Sequence, residues 1–343
     1  MTLESGQRVS RLWLYLPVAV FALLIAAYST YWFWMRGEID KGIDAWIDDQ
    51  RELGMTIEFK EKRIDGFPYR FALSVDDPQI SDPGSGIDWS GQELQLIMQP
   101  WNFNHLIGRS PGRNSLTLNG EVPVTATLGP KSVASLTWNA VSVERFALSL
   151  DEADIVLAEG STRVTDLALN LGYADGSLEK LRIALDVSEL VLPKAPAEAE
   201  WLERTIENFR VRLELANPQS FILRQMPSPA LLPDSSANLA QLLLNWGPLK
   251  LGAKGDLVLP YDTCAPDGVL NFRLEDTGPL VAALDNAGQL TDEIQTGIDA
   301  VAAVSSTGGF APITFRNGRI TFLGQSVAEL PPLCGDARAI PVN

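Results

Sequence analysis

Histidine is almost absent from this chain. His105 is the single one among 343 residues, so a His-dependent triad or a His-rich metal site has at most one candidate member. Cysteine is nearly as scarce. Cys264 and Cys334 are the only two; they form no C-x-x-C motif, and with one histidine they lack the partners of a zinc site. Basic residues are in deficit: 27 Lys and Arg against 43 Asp and Glu give a net charge of −16. That sign disfavours nucleic acid, whose phosphates require a basic surface. It also disfavours electrostatic docking to anionic headgroups as the main attachment. The G-x-S-x-G elbow, the Walker loop and the G-x-G-x-x-G turn are all missing. Carboxylates are plentiful, yet none forms an evident acid–base couple. The composition argues against an enzyme and implies no cofactor.

Charge is absent from one further stretch. Leu12 through Trp34 contain no Asp, Glu, Lys or Arg, matching the roughly 20 apolar residues that cross a bilayer. The run begins after Arg8 and Arg11 and ends in Tyr31, Trp32, Phe33 and Trp34. Such aromatic clusters favour the headgroup level, and Lys/Arg excess marks the cytoplasmic side. Arg36 and Lys41 dilute that bias, but the very short tail favours an N-terminus inside and a body outside. A cleaved signal peptide would have an apolar core of about 7–15 residues and a small-x-small cleavage site. The longer run and its bulky end indicate an uncleaved anchor instead. The expected organisation is a cytoplasmic tail at 1–11, a transmembrane anchor at 12–34 and an amphipathic linker helix at 35–54. The rest, 55–343, is an extracytoplasmic β-rich domain. The linker helix rests on Ile39, Ile43, Trp46 and Ile47, which recur at helical spacing between acidic residues. In an oxidising compartment Cys264 and Cys334 are a candidate disulfide, worth roughly 4 kcal/mol in the chain-entropy model. The alternative is two buried thiols.

Beyond residue 68 the period of the pattern changes to two. Tyr69, Phe71, Leu73 and Val75 alternate with polar or small residues, as do Leu167, Leu169 and Leu171. So do Ile183, Leu185 and Val187; Phe209, Val211, Leu213 and Leu215; and Leu270, Phe272 and Leu274. Each reads as a strand with one apolar face. Asn317-Gly318 predicts a type I′ hairpin between Ile313–Arg316 and Arg319–Phe322, because both turn residues need positive φ. Two helices are expected. One presents Leu239, Leu242, Leu243 and Trp246, capped by Ser235 or Ser236; the other presents Leu290, Ile294, Ile298 and Val301, after a turn at Gly288. Pro193–Pro196 and Pro227–Pro233 read as loops, and a division of the body near 190–235 is an open option. One-sided alternation favours antiparallel sheets. The expected fold is mainly β with a few short helices: an N-terminal transmembrane helix, then a curled antiparallel sheet, as a groove or an open barrel.

The local candidates for chemistry are weak. His105 reads as a loop-end histidine packed by Trp101. Arg109 and Arg113, with glycine between them, are the candidate headgroup site, since guanidinium groups pair with phosphate. The competing reading is a solvated turn. Trp89, Trp101, Trp138, Trp201 and Trp246 read as core or sheet-face packing, because a Trp buries a large area.

Several segments together carry a resemblance. They are Gly66-Phe67-Pro68-Tyr69-Arg70-Phe71, Gln99-Pro100-Trp101-Asn102, and Trp246-Gly247-Pro248-Leu249. Gly255-Asp256-Leu257-Val258-Leu259, Pro266-Asp267-Gly268, and Gly278-Pro279-Leu280 through Leu290 follow. The chain resembles the bacterial domain of unknown function 2125 family, and Trp-Gly-Pro-Leu is the most specific block. The resemblance implies one N-terminal span in the inner membrane and a periplasmic β-rich body; it implies no reaction. The second half is also distantly similar to AsmA-like envelope proteins, with curled sheets whose apolar inner face is thought to carry lipid. The expected partners are therefore membrane lipids, held in an apolar groove. The alternative is a non-enzymatic structural module that docks an envelope protein.

Overall fold

The computed structural model describes residues 12–140, 142–173, 178–197, 199–218, 234–260, 265–322 and 324–330. The charge-free run and the amphipathic segment form one continuous helix, α1 (Leu12–Glu52), 41 residues long with Pro17 inside it. No residue between Trp34 and Ile39 breaks the backbone pattern, so the anchor and the amphipathic segment share one helix.

The rest is one open antiparallel sheet, not closed into a barrel. Its strands are β1 (Thr56–Glu58), β2 (Glu61–Asp65), β3 (Phe71–Asp76), β4 (Gln79–Asp82), β5 (Ile87–Gly91), β6 (Glu93–Gln99) and β7 (Asn102–Arg109). Next come β8 (Gly112–Leu118), β9 (Val124–Leu128), β10 (Val133–Trp138), β11 (Val143–Leu157), β12 (Gly160–Tyr173) and β13 (Lys180–Val191). Then follow β14 (Thr205–Ala216), β15 (Ser235–Trp246), β16 (Leu249–Leu259) and β17 (Asp267–Glu275). Two helices, α2 (Thr277–Asn286) and α3 (Asp292–Ser306), precede β18 (Ala311–Arg316), β19 (Arg319–Phe322) and β20 (Gln325–Glu329).

The registers resolve this long list into a simple meander. β3 pairs with β2 and β6, while β4, the next stretch of the same strand, pairs with β1 and β5. The pairs β5/β6, β7/β8 and β9/β10 behave likewise, and the last meets the two halves of β11. Ten short strands are therefore five long ones, each broken in the middle. The breaks align with Asp151, Asp166, Ser188 and Asn208, which the registers on either side place opposite one another. The sheet is creased along this line. Asp77, Asp166 and Asn208 adopt φ of 50°, 48° and 63° there; Asp and Asn are the non-glycine residues that tolerate the left-handed region best. Backbone bonds continue through the crease, with Gln92 N–H donating to Arg113 O at 3.0 Å and Gly129 N–H to Glu152 O at 2.7 Å. The Asp151 carboxylate clamps it, accepting from Ser132 Oγ at 2.8 Å and Lys131 N–H at 3.2 Å.

Each crease residue shifts the alternation by one. Leu150 and Ala153, Val164 and Leu167, and Val187 and Leu190 thus lie on the same face, where they form one cluster. Ala153 at its centre is 0 % exposed, although no described helix packs on it. The apolar face is folded onto itself at the crease.

The expected hairpin is present: Ile313 faces Phe322, Phe315 faces Ile320, and Asn317 and Gly318 have φ of 50° and 77°. The expected strands lie in β3, β12, β13, β14 and β17, and the helix on Leu290 to Val301 is in α3, capped by Thr291. The other expected helix fails. Ser235–Trp246 is not a helix but β15, paired with both β14 and β16. Its register shifts between Leu239 and Leu242, where Ala240 and Gln241 oppose one residue of each neighbour. This bulge turns a period of two into spacings of three and four, which imitate a helical face. β13, β14 and β15 are hydrogen-bonded neighbours, so the described strands on either side of 190–235 belong to one sheet. The loop at Pro193–Pro196 is observed, whereas Pro227–Pro233 lies outside the described residues.

On the polar face Asp186 joins Arg210 at 2.7 Å and Arg212 at 2.6 Å across β13 and β14. Burial works against ionisation of Asp186, but Arg212 and Arg210 outweigh it and hold the carboxyl below its ordinary value of 3.8. Since the folded pKa lies below the unfolded one, this stabilisation is complete above the unfolded value. It is lost as pH falls through the folded value. Unfolding midpoints followed by circular dichroism should be flat near pH 6 and drop below about pH 4, and Asp186→Asn should remove part of that acid slope. An unchanged slope in the variant would show that this cluster adds nothing.

Candidate functional site

The registers bring apolar residues into two continuous rows on one face. In the first, Ile64, Leu73, Leu96, Gly108, Ala134, Leu148 and Leu169 are successive cross-strand partners from β2 to β12. It continues through Leu185, Val211, Leu242, Ala253, Phe272 and Ala311 to β18. Alongside it runs Phe71, Met98, Leu106, Leu136, Phe146, Leu171, Ile183 and Leu213. That second row ends in Leu239, Gly255, Leu270, Ile313 and Phe322. No polar side chain interrupts either row. With strands about 4.8 Å apart, thirteen strands give a contour on the order of 58 Å. The opposite face of β11 to β14 carries Arg145, Ser149, Asn170, Arg182, Asp186, Arg210 and Arg212.

The described helices cover the apolar face at its ends. At the first end Trp32, Met35, Ile39 and Ile43 of α1 pack on Ile64, Phe71 and Leu73. Trp32 is the largest fully buried side chain described, at 2 % exposure. Its indole stacks on Phe71 with ring centroids 5.2 Å apart, and its Nε1–H donates to Arg70 O at 3.3 Å. Lys62 Nζ ties the same helix to β2, 2.8 Å from Asp40 and 2.5 Å from Asp44. At the other end Leu280, Leu284 and Ile298 of α2 and α3 pack against Leu249 and Leu274, and Leu274 N–H donates to Ser305 Oγ at 3.2 Å. Between these ends, from β6 to β15, the row residues are half-exposed and no described helix lies over them.

The polar face holds a recess of about 790 Å³ between Arg145, Asn170, Arg182, Arg212, Glu214 and Asn238. Arg182 is paired with Glu214 at 2.9 Å and Arg212 with Asp186. The recess is broad and largely self-neutralised, and it brings together no acid–base couple.

The residues singled out in the sequence are scattered. Arg109 ends β7 and Arg113 lies in β8, both exposed, on either side of a turn braced by the buried Asn114. Asn114 Nδ2–H donates to Ser110 O at 2.9 Å and Gly112 O at 3.1 Å, so the turn is built by its own hydrogen bonds. His105 is not at a loop end: it is half-buried within β7, opposite Thr137 of β10, because the apolar alternation of Leu106 and Gly108 carries the strand through it. Cys264 and Cys334 lie outside the described residues. Of the five tryptophans assigned to packing, Trp101 is 62 % exposed. Trp201 and Trp246 are half-buried and use their indole N–H groups, on Gln289 Oε1 at 2.9 Å and Glu203 O at 3.2 Å. Trp201 also packs against the cluster of Leu280, Leu284 and Ile298, while the fully buried tryptophan is Trp32, read from the sequence as a headgroup residue. The apolar rows had a sequence signal in the alternation itself, but their continuity depends on register.

A family profile described as "Uncharacterized protein conserved in bacteria (DUF2125)" matches residues 32–331. The chain belongs to the DUF2125 family. The match begins at Trp32, so it takes in the helix segment that packs on the sheet as well as the sheet of this DUF2125 protein. It gives no support to the distant likeness to AsmA-like proteins. No curated protein and no solved structure matches this DUF2125 chain. One helix, described over Tyr15–Glu52, is long and apolar enough to cross a membrane.

Proposed function

We propose that this DUF2125 protein is a non-enzymatic, single-pass inner-membrane protein whose periplasmic sheet holds the acyl chains of envelope lipids on its apolar face. The observation that carries this reading is the pair of unbroken apolar rows, half-exposed from β6 to β15. Apolar surface in water costs about 25 cal/mol per Å², so a stripe of this length favours an apolar occupant. The rows begin at Ile64 and Phe71, directly against α1, so the stripe starts beside the anchor helix and lipid is the nearest apolar material.

The test is native mass spectrometry of the full chain released from detergent or nanodiscs. Phospholipid should stay bound to the wild type. Leu169→Glu, in the middle of the first row, should abolish retention, while Asn170→Glu on the opposite face leaves it unchanged. Lipid retained equally by all three proteins, or by none, would overturn the reading. An envelope-protein interaction module is the second reading. It is favoured by the sheet's edge strand β20, which among the described residues pairs with β19 alone, since an edge strand can accept an incoming strand.

A further inference from the structure

Two loops close the same end of the sheet: residues 66–70 between β2 and β3, and residues 100–101 between β6 and β7. Both are bound to α1 inside its charge-free stretch. The Tyr28 hydroxyl donates to Pro68 O, and the Tyr31 hydroxyl donates to Pro100 O at 3.2 Å. The body therefore reaches back to the level of residue 28. Only residues 12–27 of the uncharged run lie clear of it, and at 1.5 Å per residue they span roughly 24 Å. A bilayer core is about 30 Å thick, so a helix that crosses it must carry the loops to the membrane surface.

The side chains at that level suit such a position. Tyr69 is 74 % exposed and Trp101 62 %, and Phe67, Phe103, Phe33 and Trp34 are exposed beside them. Phe33 and Phe67 stack with centroids 5.4 Å apart, joining helix and loop into one aromatic surface. Arg70, next to Tyr69, and Arg36, two residues beyond Trp34, are exposed at its rim. Tyr and Trp prefer the headgroup level because one end of each ring system is apolar and the other can hydrogen-bond.

We infer that Phe67, Tyr69, Trp101 and Phe103, with Phe33 and Trp34, form a collar seated in the interface of the bilayer that α1 crosses. The collar fixes the sheet's height and tilt on the membrane, so that the apolar face opens at the lipid surface. This rests on α1 being a membrane span.

The test is nitroxide accessibility on the full chain in vesicles of phosphatidylethanolamine and phosphatidylglycerol, with Cys264→Ser and Cys334→Ser removing the native thiols. Labels are placed through Tyr69→Cys, Trp101→Cys, Val20→Cys and Ser149→Cys. The labels at 69 and 101 should collide with oxygen several-fold more, relative to a water-soluble nickel chelate, than the label at 149 on the polar face. Water-like labels at 69 and 101 with an oxygen-rich label at 20 would overturn the collar while leaving the span intact. A water-like label at 20 would overturn both. With the cysteines intact, brominated acyl chains should quench the intrinsic fluorescence, and Trp101→Phe should remove part of that quenching. Unchanged quenching in this variant counts against the collar.

Discussion

Trp32→Ala should detach α1 from the sheet. The indole is 2 % exposed, stacks on Phe71, meets Phe67 edge-on at 5.4 Å, and donates to Arg70 O. Truncating a buried Trp to Ala removes its packing and leaves a cavity, at a cost of about 3–5 kcal/mol. The nearby Lys62 tie is too weak to compensate. Lys62 bridges Asp40 and Asp44, but both carboxylates are half-open to solvent, and such pairs are worth roughly 0–1 kcal/mol. Hydrogen exchange on the full chain in detergent should show lost protection in β2 and β3, with β12 to β14 unaffected, and the urea midpoint of the first transition should fall. Full protection of β2 and β3 in the variant would mean that the joint is held elsewhere. By the same reasoning, deleting residues 1–36 should destabilise the sheet's first strands, because the cut takes Trp32 and Met35 with it. Deleting residues 1–26 leaves those contacts in place.

Ala153→Leu should force the crease open. Ala153 is fully buried, directly opposite Leu128 on one side and Val164 on the other, with Leu150, Val187 and Leu190 around it. A methyl is the largest group that fits where the apolar face folds onto itself. Overpacking such a site costs about 1–3 kcal/mol. Relief by flattening would break the clamp that Ser132 and Lys131 make on Asp151. Ala147→Leu, in the same strand but on the half-exposed opposite face, should change stability by no more than about 0.5 kcal/mol. Thermal midpoints of the two variants decide the matter. Equal midpoints would show that the crease is a soft bend rather than a packed corner.

Much of this architecture was readable in the chain. One-sided alternation located β3, β12, β13, β14 and β17, and Asn317-Gly318 located the β18–β19 hairpin to the residue. The crease was also written there, as slips of one in the alternation between Leu150 and Ala153, Val164 and Leu167, and Val187 and Leu190. A slip has no meaning until neighbouring strands are in register, because only then do Asp151, Asp166 and Asn208 line up. The same ambiguity misled the reading of Ser235–Trp246: a bulge in a strand and one turn of a helix both give spacings of three and four. Trp32 was misplaced for a related reason. An aromatic at the end of an apolar helix suits a headgroup layer equally well when no partner is visible. Ile64 and Phe71, which bury it, lie more than thirty residues away.

By itself the sequence determined a helix long enough for a membrane, an acidic body without catalytic motifs, and strands with one apolar face. These follow from local properties: charge, residue type and period. Tertiary structure alone decided that the sheet stays open, that the slips in alternation line up into a crease, and that the described helices cover its apolar face at both ends rather than in the middle. It also brought Tyr69 and Trp101 to the level of Tyr28. The physical reason is that periodicity specifies which side of a strand is apolar but not what comes to lie against it. That is settled by register, twist and contacts between residues distant in the chain.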